Sequence, residues 1–356
     1  MNKPLGVGFI GTGHIATQVH LPVFRKLADE GLVNIVAVCD IDPDKARSVA
    51  EKFSVPQYFT DYSDLVARDD IDVVSVCTPN FLHLDPVIKS FAAGKHVLCE
   101  KPLAINATEG EAMVAAAEKA QRQLMVGLNW RYDNAAQAAH RFVRDGMAGE
   151  IYYARAHAIR RRGIPGWGMF TQKDKQGGGP LIDMGVHVLD LTMWLMGNPV
   201  PVSVTGATYT KFGTREGIIG LRGQWDRAKY TVEDLGVGLI RFANGASLSL
   251  EASFALNIER DRFETSLMGT EGGIHLDPLK YENTRLFREE SGTLTDTTLA
   301  SITRGNSHEA EIRDFVDALI NGREVAIPGS QALALTRILD ALYLSAETGR
   351  EVRLDQ

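Results

Sequence analysis

Only three of the 356 residues are cysteine, and Cys39, Cys77 and Cys99 form neither a CxxC pair nor any other metal-ligand spacing. A disulfide-stapled fold and a metal centre are therefore not expected. Each cysteine closes a short apolar run (VNIVAVC, IDVVSVC, KHVLC), as a small apolar residue does at a strand end in a reducing compartment. Long apolar stretches are missing too: nothing approaches the roughly 18 consecutive apolar residues of a membrane-spanning helix. Charge of one sign is not massed anywhere. The 38 Lys and Arg and 45 Asp and Glu give a net −7 and no long basic stripe, which argues against a nucleic-acid partner. Internal repeats and low-complexity tracts are absent. The opening MNKPLGVGFIGTGHIA has the lysine and apolar run of a secretory leader. Yet Gly6, Gly8, Gly11 and Gly13 interrupt it and no small-residue cleavage site follows, so it reads as folded structure and the protein as cytoplasmic.

What is present is an ordinary globular composition, 44% apolar, in a chain long enough for two domains at about 100–200 residues each. Over residues 1–125, runs rich in β-branched residues (GVGFI, VNIVAVC, DVVSVC, HVLCE, QLMVG) alternate with helical patterns. Continuous apolar strands separated by helices predict a parallel sheet covered on both faces, in a doubly wound α/β domain. The helical pattern after the first strand contains one awkward proline, Pro22. Over residues 126–356 the rhythm changes. One helix (NAAQAAHRFVRD) precedes IYYARAHAIR, a glycine-rich loop and the helix LIDMGVHVLDLTMWLMG, followed by several strand-like segments with hairpin punctuation such as ANGAS. This predicts an α+β domain on a mostly antiparallel open sheet. Two final helices, about 306–348, are expected to pack back toward the N-terminal domain.

Three motifs carry chemistry. Gly11-Thr-Gly13-His14-Ile15-Ala16 lies between a strand and a helix: Gly11 permits the tight turn, Gly13 the approach of backbone to a pyrophosphate, and Ala16 close helix packing. Asp40 ends the second strand, where an acid accepts both hydroxyls of an adenosine ribose. Its charge would repel a 2′-phosphate, and Ile41 and Asp42 follow rather than arginine, so NAD is expected over NADP. Thr78-Pro79-Asn80 and Glu100-Lys101-Pro102 follow the strands DVVSVC and HVLC, at the edge where open α/β sheets bind ligands. Taken alone, Lys101 is more readily an exposed loop charge than a functional residue. Gly177-Gly178-Gly179 breaks into a helix on which Asp183 and His187, four residues apart, share a face; Asp190 follows on nearly the same face and could orient the imidazole. By itself that pair is as readily structural as catalytic. Arg160-Arg161-Arg162 fits either recognition of an acidic substrate or, more simply, the solvated end of an edge strand.

Together the GTGHIA turn, the CTPN segment, Glu100-Lys101-Pro102 and GGGPLIDMGVHVLD resemble, over essentially the whole chain, the glucose-fructose oxidoreductase and inositol dehydrogenase (Gfo/Idh/MocA) family of NAD(P)-dependent sugar and polyol oxidoreductases. The resemblance implies a Rossmann domain carrying NAD. It also implies hydride transfer to or from a secondary alcohol of a sugar, sugar derivative or cyclitol. It assigns Lys101, Asp183 and His187 to catalysis, with either His187 or Lys101 as the base. Gly11, Gly13, His14 and Ile15 match the pyrophosphate turn, Asp40 the ribose acid, and Thr78, Pro79, Asn80 and His83 the wall beside the cofactor. Glu100 and Lys101 join that wall, and Arg131 and Trp167 match an arginine and an aromatic near it. A homodimer or homotetramer is implied. An NAD-using glycosidase, a keto-sugar reductase and a non-enzymatic dinucleotide sensor are the alternatives; the full set of Lys101, Asp183 and His187 argues against the last.

Overall fold

Apolar β-branched runs without alternation belong in strands shielded on both faces. In a computed structural model of the chain, which describes residues 3–299 and 302–354, they take that place. The first half runs β1 (Leu5–Ile10), α1 (Leu21–Asp29), β2 (Val33–Cys39), α2 (Pro43–Lys52), β3 (Gln57–Phe59), α3 (Tyr62–Val66), β4 (Val73–Val76), α4 (Leu84–Ala92), β5 (His96–Glu100), α5 (Ala107–Ala120) and β6 (Leu124–Gly127). All six strands are parallel, in the order β3-β2-β1-β4-β5-β6. That order reverses between β1 and β4, the switch point beside which doubly wound sheets bind dinucleotides. Pro22 is accommodated because a π-helical turn over Ala16–His20 precedes α1 and leaves the proline in the first turn, where its missing N–H has no partner to lose. Asp42 and Asn106 cap α2 and α5 by accepting backbone N–H groups two or three residues on.

The second half runs α6 (Asn134–Arg144), β7 (Ile151–Ile159), α7 (Lys173–Gln176), α8 (Val186–Leu195), β8 (Pro201–Tyr209), β9 (Leu235–Phe242), β10 (Ser247–Ser253), β11 (Arg262–Gly269), β12 (Gly272–Leu276), β13 (Arg285–Glu290), β14 (Thr293–Thr298), α9 (Ser307–Asn321), α10 (Gly329–Thr348) and β15 (Val352–Arg353). Nine strands form one sheet in the order β14-β13-β12-β11-β7-β10-β9-β8-β15. It is antiparallel except where β10 runs parallel to β7. The ANGAS segment is the β9–β10 hairpin, with Gly245 at φ 87° in a conformation glycine adopts freely. Two strands escape the pattern reading. TLTDTT in β14 has a single apolar residue, the exposed Leu294, and β15 is only two residues long.

By compactness the chain divides into one unit of Met1–Asn129 with Asn306–Leu333 and another of Trp130–Gly305 with Ala334–Gln356. In the first, α9 is tied to α1 and the turn after it: Lys26 lies 2.6 Å from Glu309, and Arg313 reaches both oxygens of Glu30 at 2.6 and 2.7 Å. No helix among the described residues is long and apolar enough to cross a membrane. Cys39, Cys77 and Cys99 are free thiols, all buried.

Candidate active site

In the first unit, the carboxyl edge of the sheet gathers most of the residues singled out above. Gly11 turns the chain at φ 88°, and a Cβ there would stand 2.7 Å from the Cys77 carbonyl oxygen on the neighbouring strand. Gly13 differs: its φ is not in the left-handed region, and a Cβ would meet no protein atom within 4 Å. Nothing inside the chain calls for glycine at 13. A backbone cradle that must stay bare for an external group does, and this is how a pyrophosphate is held at a helix N-terminus. His14 is exposed and Ile15 half-buried in the same turn. Asp40 fastens this turn, its Oδ2 accepting the N–H and hydroxyl of Thr12 at 2.9 and 2.7 Å and pairing with Lys45 at 2.8 Å. Burial works against the charge on Asp40. Lys45 and Thr12 outweigh it and hold the carboxyl below its usual range. The residues therefore fit a dinucleotide: bare backbone donors, and an ionised acid one strand over. Gly13→Ala is expected to weaken NAD binding at least about tenfold while leaving Tm unchanged, a pairing that calorimetry and thermal unfolding check together.

Thr78 and Asn80 are half-buried and Pro79 exposed, in the loop after β4. His83, expected beside the cofactor, is wholly buried. Its ring lies between the carbonyl oxygens of Pro102, 2.9 Å from Nδ1, and Thr78, 3.0 Å from Nε2, and so joins the two motif loops. Burial lowers its pKa. Glu100, also expected at the cofactor, turns inward, and Lys101 is half-buried at the end of β5.

Behind this edge α9 contributes Glu311, 1% exposed, with His308 one turn earlier. Burial pushes the Glu311 carboxyl up from 4.5 to about 7, against the pull of His308 and with the help of nearby Glu100. A raised acid pKa means the folded state holds the proton more tightly than the unfolded one. The stabilisation is complete below pH 4.5 and is lost as pH rises to about 7, a fall of about 3 kcal/mol. Glu311→Gln should remove this fall, matching the parent Tm near pH 4.5 and exceeding it at pH 8, as thermal melts across that range will show.

In the second unit, Asp183 lies in a π-helical turn (Leu181–Gly185) that runs straight into α8. Such wide turns recur at functional sites. Here Asp183 and His187 are half-buried on a segment whose other residues from Leu181 to Leu191 are all buried, so the pair marks its one partly open stripe. The segment's start is held by Glu233, a residue the sequence reading did not mark. Its carboxylate accepts the N–H of Gly179 at 3.0 Å and of Leu181 at 3.2 Å, and the Tyr343 hydroxyl at 2.8 Å. A Cβ on Gly178 would fall 1.9 Å from the Tyr343 hydroxyl, so that glycine serves close packing. No local signal links Glu233 or Tyr343 to the loop, because both come from far along the chain.

Asp190 does not orient His187. It is 1% exposed and gripped by Arg131, with Nε 3.1 and 3.0 Å from its two oxygens and Nη2 2.5 Å from Oδ1. Arg131, expected beside the cofactor, thus has its guanidinium buried on Asp190. Trp167 is 54% exposed, edge-on to Phe170. The arginine run is not a uniform exposed end. All three bond main-chain carbonyls and Arg162 also Asn257, but only Arg161 is exposed; Arg160 and Arg162 are half-buried, and burial lowers the Arg160 pKa against the attraction of Asp183. Among the described residues, no group of three or more His, Cys, Asp or Glu is arranged to hold a metal ion.

Comparison with known proteins matches both halves. Residues 5–128 match the family model described as "Oxidoreductase family, NAD-binding Rossmann fold", and residues 141–354 its companion, "Oxidoreductase family, C-terminal alpha/beta domain". The chain is 37% identical over 355 residues to D-glucoside 3-dehydrogenase of Escherichia coli (strain K12), covering 99% of this chain and 98% of that one. It is 30% identical over 281 residues to levoglucosan dehydrogenase of Pseudarthrobacter phenanthrenivorans, covering 76% and 71%. A solved structure of levoglucosan dehydrogenase with NADH and levoglucosan superposes with a TM-score of 0.86 at 25% identity, over 99% of this chain and all of that one.

Proposed function

The chain belongs to the Gfo/Idh/MocA oxidoreductase family, with an NAD-binding Rossmann domain, and from that premise we propose that it oxidises a secondary alcohol of a sugar, a sugar derivative or an inositol-like polyol, reversibly. The observation that carries this reading is the 37% identity to a glucoside dehydrogenase along nearly the full chain, with Lys101, Asp183 and His187 all present. Glucosides are accordingly the first substrates to try.

Gly11, Gly13, His14 and Ile15 would hold the pyrophosphate and Asp40 the adenosine ribose, with Thr78, Pro79, Asn80, His83 and Glu100 walling or bracing the same edge. When bound, NAD supplies the acceptor for the hydride that leaves the alcohol carbon. His187 takes the hydroxyl proton, as a neutral imidazole does in general-base catalysis. Asp183 keeps the imidazole or the substrate in register. Lys101 donates to the oxygen on which negative charge grows as the proton leaves. Trp167 offers an apolar face to the ring of the substrate or the nicotinamide.

We further propose NAD over NADP, because Asp40 is held ionised where a 2′-phosphate would sit and Ile41 beside it is exposed and apolar. Lys45 offsets part of that charge, so NADP is expected to be poorer by about tenfold rather than excluded. The half-exposed face of the nine-stranded sheet, carrying Tyr153, His157 and Glu264, supports a homodimer or homotetramer, which light scattering tests. The three buried thiols suit the cytoplasm.

The deciding experiment follows nicotinamide absorbance while purified protein is incubated with NAD and a panel of glucosides, aldoses, inositols and uronates. NADH accumulating with a few related members is the expected result. No NADH with any of them, despite tight NAD binding, would overturn the dehydrogenase reading.

A further inference from the structure

His20 lies in the π-helical turn before α1 and is 1% exposed. Its Nδ1 is 2.9 Å from the Ser75 hydroxyl on β4, and its Nε2 is 2.8 Å from Glu100 Oε1 at the end of β5. The other oxygen of Glu100, Oε2, accepts the backbone N–H of Lys101 at 3.1 Å. Three elements thus converge through two side chains on the main chain of one residue. On the adjoining strand, Gly127 leaves the room this requires: a Cβ there would stand 3.3 Å from Glu100 Oε1. A buried ion pair is seldom the most stable way to fill such a space, since apolar side chains of similar volume do as well or better. Its presence under Lys101 therefore asks for a reason other than stability.

We propose that the buried His20–Glu100 pair is a positioning device for Lys101, the ring orienting the carboxylate and the carboxylate clamping the Lys101 amide, so that the lysine side chain leaves β5 in one fixed direction. The proposal rests on the reading of Lys101 as a catalytic residue.

The charges around the pair are consistent with an imidazolium and a carboxylate. Burial alone would make the His20 ring neutral, but the Cys77 sulfur and Glu100 outweigh it and carry its pKa well above the ordinary value. Burial likewise opposes ionisation of Glu100, and His20, then Lys101 and His308, outweigh it. Glu311 from α9 faces the same pair, its own pKa raised by Glu100 and lowered by His20. Without the His20 charge, Glu100 would be a buried carboxylate with too little compensation and would take up a proton nearer neutrality. Its grip on the Lys101 amide would then weaken as pH falls.

The test is His20→Gln in the full chain, a variant that can still donate to Glu100 but carries no charge. Hydrogen exchange at the Lys101 amide, which needs no substrate, should quicken about tenfold. With NAD and methyl glucoside, kcat should fall about tenfold while KM for NAD stays within about twofold, and the acid limb of the pH profile should move up by about one unit. Glu100→Gln, should His20→Gln fail to fold, is expected to show the same loss of kcat at every pH, with only the acid limb that the catalytic base itself contributes. An amide exchanging at the parent rate in a folded variant, or a parent pH profile, overturns the proposal. Lys101→Met separates the two levels. If it retains turnover the reading of Lys101 fails, even where His20→Gln still loosens the amide.

Discussion

Lys101→Met is expected to lower kcat by about 10²–10⁴-fold, with a much smaller loss of NAD affinity and a Tm close to the parent value. Methionine keeps the length and the apolar stem of lysine but neither donates a hydrogen bond nor accepts a proton. The loss therefore reads what the amine contributes where charge grows on the substrate oxygen, and a single positioned donor or acid–base group is worth that much. Stability should not change, because Lys101 is half-buried at a strand end and its main-chain bond to Glu100 does not involve the amine. Turnover kinetics with a panel substrate, beside calorimetry of NAD binding, give the answer. A variant within about threefold of the parent kcat would remove Lys101 from the chemistry under either assignment of the base, His187 or Lys101 itself.

Much of this was legible in the sequence because the signals are local. Mostly apolar runs gave β2 and β5 residue for residue, since a strand shielded on both faces shows no regular polar alternation; Asn34 in β2 is the one exposed position. The glycine turn and Asp40 were readable because the backbone geometry of a dinucleotide turn demands those residues in that order. Asp183 and His187 could be placed on one helix, though not in its π-helical turn, which no spacing rule announces. What was not legible depends on residues distant in sequence. Glu233 and Tyr343 brace the Gly178–Leu181 loop across 52 and more positions, and the partner of Glu100 stands 80 residues before it. A single chain carries no mark of such pairings. Side-chain direction was equally hidden. Glu100, His83 and Arg131 all lie in segments that resemble family cofactor contacts, yet each turns inward onto another protein group.

Arg131→Met is expected to destabilise the protein by about 3–5 kcal/mol, because it leaves the Asp190 carboxylate, 1% exposed, without its cation. The cost should depend on pH with a definite sign. Burial already raises the Asp190 pKa even with Arg131 in place, so without the arginine the carboxyl will hold its proton to still higher pH. A carboxyl whose folded pKa lies above its unfolded one stabilises below the unfolded value and loses that contribution as pH rises through the folded value. The Tm deficit should therefore be smaller at pH 5 than at pH 8. Pairing the change with Asp190→Leu removes the stranded charge, and the double variant should return to within about 1 kcal/mol of the parent. Its activity then separates the two roles open to Arg131. Asp190 lies on α8 three residues after His187, so the ion pair alone can hold the helix that carries the proposed base. If holding that helix is the whole role of Arg131, the double variant recovers turnover along with stability. If the guanidinium also contacts NAD, stability returns while KM for NAD stays high, and the same two assays distinguish the cases.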